Sequence, residues 1–492
     1  MLTKAYRIHA PPCSQPDDSA CVCMMQSMHG SRIRFWLLML LAIGLGAILR
    51  IYFFLHWPQV NGDGLIYGDI ARNWLQHGVY GRSISGPTGM ELHPTLIRLP
   101  GYPLFLAGCF LLFGMEHYNA VLFAQIAIDL LTCILIARFV GKLCSRRAAW
   151  IALYLAALCP FTANYTVAPL TETLSLFCIA IAMLGLVRLL TKADTLAIAM
   201  CAFSWSFLTL LRPDGALLPA TFVPAIILSS RKPVLRYPPL GLSRALKLVC
   251  ICGLLSVLPF FAWTYRNWHT FHLFEPLAPR YATDPGEFTE PGFQRWTKTW
   301  AAEFTSTYEI YWNANSDVMQ FDSLPSRAFD SPAQKEETAD LFKTYNENTT
   351  ITPALDDAFG ALAAERIHAH PLRYYIWLPA MRVTDMWLRP RTEMLNVELR
   401  WWQYSQHHIE TVFATCYGAL NLFYILAASV GLFRWRRRGE VRLIGVMLFY
   451  MLLRDLLLGT IEAPEARYTI EGFPFIIAWA SAAFARCTVP NN

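Results

Sequence analysis

The chain has 492 residues, of which 55% are hydrophobic, 14% aromatic and only 15% charged. A soluble globular chain carries about 25% charge, and the apolar runs here are continuous rather than alternating, which excludes disorder, a collagen-like repeat, a small disulfide scaffold and an outer-membrane barrel. The net charge of +6 is small, and its basic residues gather near the ends of apolar runs, with no patch suited to nucleic acid.

Residues 1–31 lack an apolar core and read as a disordered cytoplasmic tail, not a signal peptide. Cys21 and Cys23 form a CxC near Cys13 and His29, but the spacing is poor for a metal site. Arg32 and Arg34 then precede the first span, 35–56. A span needs about 20 apolar residues. Further segments of that kind are 119–140, 148–165, 170–190, 194–211, 215–230, 246–266, 410–433, 441–459 and 468–486. Two more are ambiguous: 101–114 is short, and 371–388 carries Arg373, Arg382 and Asp385.

If both ambiguous segments lie along the membrane surface, the chain has about ten spans. Lys142, Arg146, Arg147, Arg188, Lys192, Arg231, Arg434 and Arg436 then all face the cytoplasm, as positive charge should. Twelve spans would turn every cluster before Arg434 outward. The expected fold is therefore an α-helical polytopic membrane bundle of about ten transmembrane helices (10–12). It divides into a core, 32–266, whose first outer loop is 57–118; an extracytoplasmic insert, 267–408, with an interfacial helix over 371–388; and C-terminal spans, 409–492. In the insert only 353–370 reads clearly as a helix, ending at Pro371. No cysteine falls in 57–100 or 267–407, so a disulfide-stabilised exterior is not expected.

The outer loops hold the unusual polar residues. Asn61-Gly62-Asp63-Gly64 follows the first span directly. Ile66, Ile70 and Trp74 then recur every four residues, as do Tyr67, Ala71 and Leu75, which predicts a surface helix with Asp69, Arg72, Asn73 and Gln76 on its other face. Asp63 opens that helix and can be read as its N-cap or as a functional carboxylate. Arg98-Leu99-Pro100-Gly101-Tyr102-Pro103 begins an apolar run too short to cross. It predicts a helix that enters the interface and turns back, or a proline-marked helix start with no chemistry. Glu172 lies in the second outer loop, after Ala168-Pro169-Leu170-Thr171, and equally suits the first turn of the next helix. Asp129 and the adjacent Arg454 and Asp455 fall inside spans; intramembrane charges are functional candidates or cross-helix partners. Arg454 and Asp455 point about 100° apart on a helix, so separate partners are expected for them.

The order of these signals resembles the GT-C glycosyltransferases, and within them the protein O-mannosyltransferase branch, which includes the bacterial enzymes that transfer aminoarabinose to lipid A. The resemblance rests on Asp63, Tyr67, Ala71 and Gly78, on the R-x-P-G-Y-P run from Arg98, and on Glu465-Ala466-Arg467-Tyr468 with Pro474 after it. It implies a GT-C-like bundle and an enzyme that moves a hexosyl or pentosyl group from a polyprenyl-phosphate-linked donor to a glycan, lipid or protein acceptor. It also implies a multi-pass protein of the bacterial inner membrane whose site faces the periplasm or exterior, among membrane lipids and with no nucleic acid. Asp63 takes the catalytic place and Glu172 that of a further acid. The family often has a second acid after the first, where this chain has Gly64. That departure weakens the case for a metal-binding pair: no cofactor is certain, and a divalent cation, Mg or Mn, is the one candidate.

Such a transfer needs a carboxylate for the acceptor proton, cations for the leaving phosphate, and exclusion of water. Asp63 suits the first task. Arg98, Arg212, Arg266 and Arg467 are candidates for the second, because a guanidinium binds phosphate in a fixed fork; each can equally snorkel to lipid head groups. Tyr67, His93, Tyr102 and Tyr468 complete the expected substrate-binding set. Two other classes fit the composition: a transporter or lipid flippase, and a non-catalytic envelope-assembly protein. The first would be expected to show inverted repeats and midplane polar groups, and neither is evident.

Overall fold

The computed structural model describes residues 18–86, 89–231, 233, 237–437 and 441–487, with side chains from Phe35 onward. Cys13 therefore lies outside the described residues, and Cys21, Cys23 and His29 lie outside the described side chains. Among the described residues the fold is helical apart from one hairpin. In chain order the elements are α1 (Asp18–His56), α2 (Asp63–His77), β1 (Gly81–Gly86), β2 (Gly89–Pro94), α3 (Gly101–Phe113), α4 (Tyr118–Leu143), α5 (Arg146–Ala157), α6 (Pro160–Asn164), α7 (Glu172–Thr191), α8 (Thr195–Leu211), α9 (Leu217–Leu228) and α10 (Leu242–Phe271). The insert supplies α11 (Pro291–Thr297), a single turn α12 (Phe304–Ser306), α13 (Pro332–Asn348), α14 (Pro353–Ala369) and α15 (Leu378–Leu388). The chain closes with α16 (Tyr404–Arg436), α17 (Val441–Leu458) and α18 (Phe473–Phe484).

Among the described residues, five helices are long and apolar enough to cross a membrane: Phe35–His56 of α1, α4, α7, α10 and α16. A sixth span forms if α5 and Pro160–Val167, bent by 44°, cross together. The remaining expected spans are present as helices, but α8 and α9 are shorter, α17 carries Arg454 and Asp455, and α18 has 12 residues. The count of about ten thus rests on short helices packed inside the bundle. α18 is buried from Phe473 to Ala483, against α16 and α5. The ambiguous α3 has 13 residues, about 20 Å of helix, too short for a hydrocarbon core of about 30 Å.

Polar groups sort to the two ends. At one end Arg146 covers the Phe35 ring, Arg434 donates to Ala483 O, Arg442 donates to Pro233 O, and Cys144 and Cys487 are joined in a disulfide. At the other end lie the first loop, the Glu172 loop, the Asp214 turn and the loop 459–472. Between them, Arg50 and Asp129 pair across α1 and α4, both almost fully buried, with Arg50 Nε 2.7 Å from Asp129 Oδ2 and Arg50 Nη1 donating to Gly46 O and Ala157 O. Asp129 therefore has the cross-helix partner that its position inside a span demands.

The first outer loop differs from expectation. α2 is followed by an antiparallel hairpin, with Gly81 opposite Pro94 and Gly86 opposite Gly89, rather than by featureless loop. The polar face of α2 turns inward to it: Asp69 accepts from Ser83 N at 2.7 Å, and buried Asn73 donates to Gly81 O at 3.1 Å. The insert also holds more helix than expected. Ser331 caps α13 by accepting from Gln334 N, with Pro332 in the first turn. Phe293, Trp296, Trp300, Phe342, Tyr345 and Phe359 build a separate hydrophobic core there. The expected interfacial helix over 371–388 is a π-helical turn, Arg373–Trp377, running into α15.

Candidate active site

The site grows from three close approaches. Gly64, at the start of α2, lies against Pro169 of the second outer loop; a Cβ there would fall 2.5 Å from Pro169 Cγ. Position 64 therefore has no room for the acid that the family often carries. Gly101, at the start of α3, packs backbone to backbone against Leu210 and Leu211 at the end of α8, where a Cβ would meet Leu210 O at 2.6 Å. This fixes Arg98, three residues earlier, beside the Arg212 turn. Arg391, buried in the segment after α15, donates to Ala466 O at 2.9 Å and to Thr469, and so holds the loop that carries Arg467.

Asp63 occupies the meeting point. It is the first residue of α2, whose cap is Gly62, and it makes no capping bond. Its oxygens go instead to Arg98 Nη2 at 2.7 Å and Arg467 Nη1 at 3.3 Å. The N-cap reading is thereby replaced by an ion-pair reading. Burial acts to raise the Asp63 carboxyl, but Arg98 and Arg467 outweigh it and hold it below the usual carboxylate range. Arg467 is shared: its Nε lies 2.7 Å from Glu465 Oε2, and Glu465 Oε1 accepts from Tyr468 Oη at 2.6 Å. Burial lifts the Glu465 carboxyl against the pull of Arg467 and Tyr468.

The network continues inward. Tyr468 stacks beneath both Arg467 and Arg212, at 5.2 and 5.1 Å. Arg212 reaches Glu172 at 3.1 Å, and Asp214 and Glu471 at 3.4 Å each. Arg454 pairs with Asp214 at 2.9 Å and with Glu471. Its sequence neighbour Asp455 instead accepts from Trp387 Nε1, so the two do have separate partners. Five carboxylates (Asp63, Glu172, Asp214, Glu465, Glu471) thus meet four guanidiniums (Arg98, Arg212, Arg454, Arg467). Glu172 is the first residue of α7 and makes no capping bond to it; it also remains where the helix dipole favours an acid.

Tyr67 lies under Arg98, 5.8 Å from ring centre to guanidinium, and its ring meets Tyr102 at 5.0 Å. Burial pushes the Tyr67 hydroxyl up to about 12, so it stays a neutral donor. Tyr102 is fully buried and donates to Gln125, which in turn donates to Thr166 O and Ala168 O. It braces the second loop rather than opening to a ligand. Two further expected site residues are not brought to Asp63. His93 sits on β2, half exposed, 3.5 Å from Glu91. Arg266 packs on Tyr80, Trp263 and Phe271 and donates to Thr95 O and Tyr80 O, which steadies the approach to Arg98 from behind. Glu465, Asp214 and Glu471 were not among the expected site residues. Glu465 stood inside the quoted E-x-R-Y motif, which was its available signal.

The residues do not fit a divalent cation. Among the described residues no group of three or more His, Cys, Asp or Glu side chains is arranged to hold a metal ion. The site's acids direct their oxygens to guanidiniums instead.

A family model described as dolichyl-phosphate-mannose-protein mannosyltransferase matches residues 93–263. The chain is similar to that mannosyltransferase family. The resemblance drawn from the motifs, to GT-C membrane glycosyltransferases of the protein O-mannosyltransferase branch, stands. The match starts within β2 and ends in α10, so it takes in Arg98, Glu172 and Arg212 but neither Asp63 nor Arg467. No curated protein matches the chain. Similar solved structures include the Archaeoglobus fulgidus oligosaccharyltransferase tethered to an acceptor peptide, at 12% identity and TM-score 0.45, covering 90% of this chain and 49% of that one. ArnT from Cupriavidus metallidurans bound to undecaprenyl phosphate is similar at 14% identity and TM-score 0.37, covering 89% of this chain and 77% of that one. The chain spans about half the length of the archaeal enzyme.

Proposed function

We propose that this chain is a membrane glycosyltransferase that takes a sugar from a polyprenyl-phosphate-linked donor and delivers it to an acceptor hydroxyl at the outer membrane face. In a bacterial cell this is the periplasmic side of the inner membrane. The observation that carries the reading is the meeting of Asp63 with Arg98 and with Arg467, 404 residues apart in sequence, at the end of the bundle opposite its basic loops. A carboxylate between two guanidiniums, beside lipid head groups, offers both halves of the required chemistry. The mannosyltransferase family description names a dolichyl-phosphate donor, of the same polyprenyl class.

In the transfer, the acceptor oxygen attacks the anomeric carbon from the face opposite the phosphate, and its proton passes to Asp63. The bond from the anomeric carbon to the phosphate oxygen breaks, and the polyprenyl phosphate leaves with the electron pair. Arg98 and Arg467 hold the charge that grows on it. Arg212, held by Glu172, keeps Tyr468 and hence Arg467 in place. The inverted configuration follows from a single displacement. No step passes through a divalent cation. A transporter would need an open polar site at mid-bundle, whereas Arg50 and Asp129 there are satisfied by each other.

The test is transfer by purified protein from a radiolabelled polyprenyl-phosphate sugar. Wild type should transfer, and Asp63→Asn should not, with equal expression and a cooperative melting transition in both. Equal activity in the variant would remove Asp63 from the mechanism.

A further inference from the structure

The two arginines at Asp63 are not held alike. Arg467 donates Nη2 to Glu465 at 3.1 Å, its Nε lies in ion-pair distance of the same carboxylate at 2.7 Å, and it reaches Asp63 only through Nη1 at 3.3 Å. Glu465 is itself buried and pinned by the Tyr468 hydroxyl. Arg98 gives Nη2 to Asp63, and its Nη1 donates to Ile97 O at a long 3.3 Å. Asp63 is the most exposed acid of the network: its side chain is 27% accessible, against 2% for Glu172, 11% for Asp214, 6% for Glu465 and none for Glu471. Four acids are locked in; one is at the mouth.

We propose that Asp63 is the resident anion of the donor-phosphate clamp, and that the lipid phosphate displaces its carboxylate from Arg98 and Arg467. This rests on the reading of the chain as a polyprenyl-phosphate-dependent transferase and adds an order of events to it. Carboxylates already equal or outnumber guanidiniums throughout the cluster, so an incoming phosphate finds no unpaired cation. It must exchange with an acid, and only Asp63 has both a solvent-facing edge and single-nitrogen contacts. A phosphate presents more acceptor oxygens to a guanidinium fork than a carboxylate does, which favours the exchange.

The exchange also resolves a difficulty in using Asp63 as a base. A carboxylate held between two cations is a weak proton acceptor. Once the phosphate neutralises Arg98 and Arg467, Asp63 keeps its buried surroundings and loses the charges that suppress its basicity. The base is then competent only when the donor is seated. Glu465 keeps Arg467 aimed at the phosphate while Asp63 is released. It acts as a positioning residue.

The experiment is equilibrium binding of undecaprenyl phosphate, without sugar, to the purified full chain in nanodiscs. Wild type is compared with Asp63→Asn and Asp63→Ser, each checked for an intact thermal transition so that one poorly folded variant does not decide the outcome. Exchange predicts that both variants, though inactive in transfer, bind the lipid about tenfold more tightly, because a like charge has been taken out of the phosphate site. A purely structural ion pair predicts weaker or unchanged binding. Unchanged or weaker binding by the folded variants would overturn the exchange and leave the transferase reading intact. Absence of any binding to wild type would overturn both.

Discussion

Asp63 contributes charge where charge is expensive, and its surroundings fix the pH at which that contribution operates. Its carboxyl is held low by Arg98 and Arg467 against the opposing effect of burial. A group depressed in the folded state stabilises the protein fully above its unfolded value, about 3.9, and loses that contribution as pH falls through the lower, folded value. The gap in thermal midpoint between wild type and Asp63→Asn should therefore stay constant from neutral pH down to about 4, then shrink under stronger acid. Melting in detergent across that range would check it; a gap that closed near pH 6 would mean another group carries the effect. Much of this cluster could be read in the sequence. Asp63, Arg98 and Arg467 each stood in a motif, and all three meet. Asp214 and Glu471 could not be read, because their roles depend on which turns of α8, α17 and the last loop come to share one buried volume. His93 and Arg266 were legible as polar residues on the correct face, but face alone does not fix distance.

At the level of elements, the hairpin and the insert are the parts least visible in advance. The hairpin strands are six residues each and polar, and they lack the alternation that marks a half-buried strand. The glycines at 86 and 89 were the remaining turn signal. Both elements serve the site by contact. Asp284, at the head of the insert, accepts from Leu96 N at 2.8 Å and from Thr95, just ahead of Arg98. Arg382 of α15 is buried and has no carboxylate partner in hydrogen-bonding range among its described contacts. It donates to Ala301 O and Lys298 O of the insert and to Gly459 O after α17, so it ties the insert to the loop that leads to Glu465. One of the residues that made 371–388 ambiguous as a span is thus a clamp on three carbonyls, two of which, Lys298 O and Gly459 O, follow helix C-termini, where a cation is favoured. Arg382→Ala should leave three buried carbonyls without this donor and cost at least about 2 kcal/mol. Faster proteolytic cleavage within the insert would report it, and an unchanged digestion pattern would count against the clamp.

At the scale of the whole molecule, the bundle separates its charges along one axis and closes the middle. Arg50 and Asp129 are buried together far from either end. Removing one partner leaves an uncompensated charge, so Asp129→Leu alone should destabilise by about 3–5 kcal/mol, while Arg50→Met combined with Asp129→Leu should recover most of it. Thermal midpoints of the single and double variants test this, and additive losses would refute it. The direction of the axis is testable as well. Lys343 is exposed on α13 of the insert. In a background lacking exposed Cys250 and Cys416, Lys343→Cys should react with an impermeant maleimide from outside the cell.

The distance in sequence between Asp63 and Arg467 also sets a biosynthetic order. At roughly 5–20 residues per second, a ribosome takes roughly 20–80 s to travel from one to the other. During that interval the nascent chain already has its first-loop carboxylate and Arg98, but lacks the second cation that pairs with Asp63. A chain stalled or truncated before residue 467 therefore holds Asp63 and Arg98 without their third partner. The ion-pair centre at Asp63 is therefore completed only when the loop 459–472 has been made.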